Sequence, residues 1–217
     1  MAVITISRDF ASGARRLGRM LAKKLDYQYV DKSLFQKIAE DLNVSERTLE
    51  SFEKSRQYRI SNTFSKAFSP SYIDRIVGFD KSVVEEQEYQ NSLRNLILET
   101  AREDDVVIVG RAGCFFLKDI ENCYHFRLIA SMDWRKKYAV EYLNISAKRA
   151  QEILERRDIN QHWFLRSICG KGFDDPLLFH SILNMSRVPI EKLVEIIISV
   201  ANLKVDTHGL TPVALKI

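Results

Sequence analysis

Cysteine is scarce in this sequence, and the three present, Cys114, Cys123 and Cys169, are odd in number and lack the paired close spacing of a zinc site. A disulfide scaffold and a cysteine-based metal centre are set aside, which leaves core or surface thiols. Long apolar runs are also missing: no segment approaches the roughly 20 apolar residues that a membrane span needs. Residues 1–6 offer neither a basic leader nor a long apolar core, so the expectation is a soluble, cytoplasmic protein with no membrane partner. No helix-turn-helix, RNA-recognition or zinc-finger pattern occurs, and a net charge of +4 is too modest to argue for nucleic acid. Internal repeats and low-complexity segments are absent. His125, His162 and His180 are scattered singly, which favours packing or surface roles over metal ligation, and no metal ligands are expected. Without a secretory signal, Asn144-Ile145-Ser146 and Asn184-Met185-Ser186 are chance matches to the glycosylation pattern.

What is present is alternation. At 217 residues the chain fits one domain able to bury a substantial core. Ala2-Val3-Ile4-Thr5-Ile6 reads as a strand, followed by a turn-like stretch and by Leu17, Met20, Leu21 and Leu25 at helical spacing. Residues 27–30 read as a second strand ending at Asp31, and Leu34, Phe35, Ile38, Ala39 and Leu42 as a helical stripe. From 43 to about 80 the pattern is polar, aromatic and irregular, with Ser45 and Glu46 opening a helix and Ser69-Pro70-Ser71 breaking the chain. Phe64, Phe68, Tyr72 and Phe79 there either line a pocket or hold an insert onto the body. A helix at 84–102 leads into Val106-Val107-Ile108-Val109, a continuous apolar run of the kind buried on both faces of a parallel sheet. Strands at 125–130 and 181–185 and helices at 133–143, 146–167 and from Pro189 onward complete the pattern, with Leu193, Val194, Ile197 and Ala201 on one face of the last helix and a loosely held tail at 204–217. Such alternation predicts an α/β fold whose five-stranded parallel sheet is covered on both sides, with ligand beyond the carboxyl ends of the strands. Arg8, Asp31, Gly110-Arg111 and Ser131 all fall there.

The first 24 residues hold six basic side chains, Arg8, Arg15, Arg16, Arg19, Lys23 and Lys24, against Asp9 alone. This excess marks either a local anion site or a solvated helix face. The loop from Ser7 to Gly18 lies between the first strand and the first helix, where a phosphate loop would set backbone N–H groups around an anion. It is not a Walker A sequence, because Ala14 occupies the lysine position and Arg15 and Arg16 the Ser/Thr neighbourhood.

Ile4-Thr5-Ile6-Ser7-Arg8 with Ala11-Ser12-Gly13-Ala14-Arg15-Arg16-Leu17-Gly18 resembles the opening of the cytidylate-kinase-like family, which typically reads I-S-R, then G-S-G-G-R, a hydrophobic residue and Gly. Tyr29-Val30-Asp31 and Val107-Ile108-Val109-Gly110-Arg111 resemble its next two segments. Asp158, Arg166, Gly170-Lys171, Asp175-Pro176 and Leu183-Asn184-Met185-Ser186-Arg187 resemble its lid and its L-N-T-S stretch. The resemblance implies a three-layer P-loop kinase fold over residues 1–217, with an acceptor-side helical insert at about 43–100 and a lid at about 156–175. It also implies ATP-dependent phosphoryl transfer to a nucleoside monophosphate, CMP or dCMP, with Mg2+. On that basis Ser12, Gly13, Ala14, Arg15 and Arg16 cradle the donor phosphates, with Arg15 replacing the missing lysine. Arg111 grips the acceptor phosphate, Asp31 and Lys37 serve the acceptor side, and Arg157 and Arg166 neutralise transferring charge from the lid. Asp31 has a second reading as the cap of a helix beginning near Lys32, and Arg156 and Arg157 as solvated charges. Ala11 and Ala14 stand where the family favours glycine, which predicts a distorted loop if φ must be positive, and Gln161 stands where relatives often carry a basic residue. The alternative is a degenerate P-loop domain that binds nucleotide or a protein partner without efficient turnover.

Overall fold

The structure is a computed structural model that describes residues 2–31, 81–102 and 105–202. The helical stripe at 34–42 with Lys37, the irregular stretch at 43–80 and the tail at 204–217 lie outside the described residues. Five strands form one parallel sheet: β1 (Val3–Arg8), β2 (Gln28–Val30), β3 (Val106–Val109), β4 (Cys123–Ile129) and β5 (Ser181–Asn184) stand in the order β2-β3-β1-β4-β5. The α-helices among the described residues are α1 (Ala14–Leu25), α2 (Lys81–Arg102), α3 (Gly113–Phe116), α4 (Met132–Leu143), α5 (Ala147–Cys169) and α6 (Ile190–Asn202).

Period-two alternation divides the core into two layers. On one face Val3, Val106 and Ile108 pack with Leu93, Leu96 and Ile97 of α2 and with Phe164 and Leu165 of α5. On the other, Ile4, Ile6, Val107, Val109 and Phe126 pack with Leu17 and Leu21 of α1 and with Leu193, Val194 and Ile197 of α6. Burying each such side chain stabilises the fold by about 1.5–3 kcal/mol. Gly18 sets how closely α1 approaches the sheet. A Cβ there would lie 2.8 Å from Val109 Cγ2 and 3.0 Å from the Tyr29 ring, so a larger residue would push the helix away.

The sequence places the first strand at 2–6, whereas β1 continues to Arg8 because Ser7 and Arg8 stay in register with Arg127 and Leu128 of β4. Arg8 therefore belongs to the sheet rather than to the loop. The short α3 was not expected, since four residues are too few for a helical period to show.

Inside the sheet, buried polarity is concentrated at His125, which is 3% exposed. Thr5 Oγ1 lies 2.8 Å from its Nδ1, its backbone N–H donates to His180 Nδ1 at 2.9 Å, and its Nε2 has no hydrogen-bond partner. Burial, reinforced by the neighbouring His180, pushes the His125 imidazole down to about 4. A folded pKa below the unfolded value means that neutral His125 contributes stability above about 6.5, which is lost as pH falls toward 4. Urea denaturation from pH 7 to 4 should therefore show an acid loss of about 3 kcal/mol that disappears in His125→Asn. Parallel profiles for the two proteins would show that His125 does not cause it.

Candidate active site

Five residues, 9–13, connect β1 to α1, and two of them are left-handed: Ala11 at φ 59° and Gly13 at φ 80°. The Ser12 N–H and hydroxyl both donate to the Asp9 carbonyl, at 3.3 and 2.8 Å, which closes the turn. Gly13 caps α1 without a side-chain acceptor, and the first intrahelical bond runs from Leu17 N–H to the Gly13 carbonyl at 3.1 Å. The N–H groups of Ala14, Arg15 and Arg16 consequently have no acceptor within the helix and form its anion-attracting end. Of the two alanines that stand where the family favours glycine, only Ala11 is at positive φ. Ala11 accepts the left-handed conformation, at a cost of about 1–2 kcal/mol, and Ala14 is the first helical residue, where a Cβ is no burden.

A second strained turn faces the first. After β3, Gly110, Arg111 and Ala112 are left-handed in succession, with φ of 85°, 60° and 56°. Gly110 donates its N–H to the Ile6 carbonyl of β1 at 2.9 Å and receives no Cβ, because one would collide with Nη1 of Arg8. Between the two turns and α5 opens a cleft of about 580 Å3. Arg8, Arg15, Arg111 and Arg157 line it, together with Asn160 and Gln161 of α5, and no carboxylate does so among the described residues.

Each arginine arrives from a different place in the fold. Arg15 is 58% exposed at the rim and holds Asp31 at 3.4 Å from Nε to Oδ2. Asp31 also accepts from the Tyr29 hydroxyl at 2.8 Å, and burial followed by this carboxylate raises the tyrosine above its ordinary range. Arg157 lies 5.3 Å over the Phe10 ring, and Arg111 lines the wall from its left-handed turn. Arg16 leans away, 5.7 Å over Tyr142, and Ser12 is buried at 1% exposure beneath the loop. Arg166 is exposed on α5 and does not line the cleft. Ser131 caps α4, its Oγ accepting from Trp134 N–H at 3.3 Å while its own N–H donates to Ser186 Oγ at 2.7 Å.

Beneath the loop lies a network that sequence reasoning missed. Arg135 of α4, 7% exposed, donates from Nη1 to both oxygens of Asp158 at 2.8 Å and to the Phe10 carbonyl at 3.2 Å. This side chain ties α5 to the loop between β1 and α1. Arg127 Nη2 meets Asp9 Oδ1 at 3.4 Å, yet burial outweighs that partner and raises the Asp9 carboxyl above its usual value. Gln161 Nε2 donates to the Arg8 carbonyl, a second tie between α5 and the strand end. The positional resemblance marked Asp158 and Gln161, but an arginine three residues into a charged helix carries no sequence signal for burial.

A parallel sheet of order 2-3-1-4-5, a turn that opens the first helix toward an anion, and a cationic cleft beyond the strand ends define a P-loop kinase fold. The chain belongs to the cytidylate kinase-like family, whose model matches residues 3–187. Among solved structures it is similar to an uncharacterized protein from Eubacterium ventriosum (TM-score 0.65, 16% identity, 94% of this chain and 100% of that one). It is also similar to the shikimate kinase from Bacteroides thetaiotaomicron (TM-score 0.52, 14% identity, 93% and 99%). At these identities the likeness is one of fold. No curated protein matches the chain.

Resident magnesium does not fit the described residues. Arg16 stands at the hydroxyl position, Ser12 Oγ is committed to the Asp9 carbonyl, and Asp9, Asp31 and Asp158 are engaged by Arg127, Arg15 and Arg135. No group of three His, Cys, Asp or Glu side chains could hold a metal among the described residues.

Because Arg135 bridges α4, α5 and the loop, Arg135→Ala should lower unfolding stability by about 2–3 kcal/mol in urea titration. Arg135→Lys should recover little of this, since an ammonium cannot reproduce the two-oxygen contact with Asp158. Unchanged midpoints for both would show that the tie is not structural.

Proposed function

We propose that this protein transfers the terminal phosphoryl group of ATP to a nucleoside monophosphate, with CMP or dCMP as the acceptor. An acceptor phosphate oxygen forms the new bond to the γ-phosphorus, the bridging P–O bond breaks, and ADP leaves. The observation that carries this reading is the cleft, which four arginines line beside the open end of α1 with no carboxylate among the described walls. Two phosphorylated ligands meeting there would bring negative charge to a cleft lined by cations, and phosphoryl transfer is mainly positioning and neutralisation of this kind. The Ser12 to Arg16 turn cradles the donor, Arg111 takes the acceptor phosphate, and Arg157 neutralises charge from α5. Asp31 orders Arg15 at the acceptor-side rim. Lys37 keeps its acceptor-side assignment from sequence, and Arg166, outside the cleft, receives no role. Magnesium would arrive on the nucleotide phosphates, since the walls supply no ligand set for it.

Ala14 favours a second reading. A phosphate loop without its lysine and hydroxyl is what a nucleotide-binding domain without efficient turnover would carry.

A coupled ADP-release assay across the four monophosphates separates the two. The expected result is turnover with CMP or dCMP ahead of AMP and GMP. Binding of ATP without turnover on any acceptor would favour the second reading. Arg111→Gln should raise the acceptor KM about 10- to 100-fold with little change in melting temperature. A fall in stability with KM unchanged would make Arg111 a structural residue.

A further inference from the structure

Arg8 is the last residue of the central strand, fixed opposite Leu128 of β4 and next to β3, and its side chain crosses the face of Gly110 into the cleft. Two features of the chain serve to keep it there. Gly110 has no side chain where one would strike the guanidinium, and Gln161 of α5 binds the Arg8 carbonyl. No hydrogen bond or ion pair of this guanidinium occurs among the described residues, in contrast to Arg127 and Arg135, which hold Asp9 and Asp158. Around it stand Arg15, which repels it, and Tyr29 and Asp31, which favour its charge more weakly and are bonded to each other and, through Asp31, to Arg15. Burial and then Arg15 lower its pKa, so the fold holds a cation where cations are disfavoured. A packed structural arginine would have been given a carboxylate in direct contact, whereas Asp31 acts on this one only from a distance and is itself bonded to Arg15. This one is given a glycine to pass over and an open cleft to reach.

We infer that Arg8 is the cation at the floor of the cleft that binds the donor's terminal phosphate, standing in for the lysine that Ala14 replaces. The inference rests on the phosphotransferase reading and refines it. Arg15 is drawn to the rim by Asp31, whereas Arg8 lies between the open N–H groups of α1 and the Gly110-Arg111 turn, where a phosphate passing from donor to acceptor would sit. Its planar fork can hold two phosphate oxygens at once. Because it leaves a strand fixed in the sheet, rather than a helix end, the charge is set in place before ligand arrives.

Calorimetric titration of the full chain with inorganic tripolyphosphate, a non-hydrolysable ATP analogue and CMP provides the test, paired with melting of the ligand-free protein. Arg8→Gln should weaken tripolyphosphate and the ATP analogue about 10- to 100-fold, Arg8→Lys by less, and Arg15→Gln by less than Arg8→Gln. The ligand-free melting temperature of Arg8→Gln should hold or rise, since a partly buried charge with no hydrogen-bonded carboxylate has been removed. Unchanged affinities, a loss confined to CMP, or a variant that fails to fold would each overturn the assignment. Wild-type protein that binds tripolyphosphate but neither nucleotide would end the phosphotransferase reading and leave the Arg8 comparison decidable on tripolyphosphate alone. Wild type that binds none of the three would overturn both.

Discussion

The burial of β1 on both faces is the constraint on which the rest of the structure depends. Val3, Ile4, Thr5 and Ile6 are all at or below 2% exposure, flanked by β3 and β4 and covered by helices above and below. A strand so enclosed can carry no charge along its length, because an unpaired ion in that interior would cost several kcal/mol. Charge can enter only where the strand ends. Arg8 is the first residue at which β1 escapes full burial, and Gly110-Arg111 is the corresponding point after β3. The parallel arrangement puts both ends on one side of the sheet, so the fold gathers these groups before any loop chemistry is considered.

The turns that follow the two strands store strain selectively. Among the described residues seven non-glycine positions have positive φ, and four of them, Asp26, Asp105, Asn122 and Asn144, are of the types that tolerate it. The remaining three, Ala11, Arg111 and Ala112, have no such tolerance, and all lie in the two turns beside the cleft. Strained backbone of this kind persists where the surroundings over-determine it. Here the determinants are visible: the Ser12 bonds and the Arg135 contact with the Phe10 carbonyl hold the first turn, and the bond from Gly110 to Ile6 holds the second.

Much of the frame was legible in the sequence because buried parallel strands are written as continuous β-branched runs. Val106 to Val109 could be read directly, and the chain-order resemblance carried the family. What was not legible depends on long-range geometry. Whether Ala11 or Ala14 bears the positive φ cannot be read from glycine substitutions in one sequence; only the backbone shows that Ala11 does and that Ala14 is already helical. Arg135 looks like any solvated helix charge until α5 brings Asp158 against it. Arg8 was placed at a strand end but distinguished from its five basic neighbours by nothing local; its distinction is Gly110, about a hundred residues away.

The cleft also explains why a missing lysine need not leave an empty charge position. In a phosphate loop the lysine extends from the first turn of the helix, so its charge moves with the loop and shares the field of the helix terminus. Arg15 begins from the same turn, yet Asp31 takes it toward the rim, and Arg16 is held over Tyr142. With both helix cations diverted, the loop presents its N–H groups alone. On the proposed reading a strand-borne guanidinium would supply the positive field from below, and the repulsion between Arg8 and Arg15 would be relieved by an anion lying between them. Binding would then relieve an unfavourable pairing as well as create favourable ones, so affinity in this cleft should depend on the number of negative charges a ligand brings more steeply than on its shape.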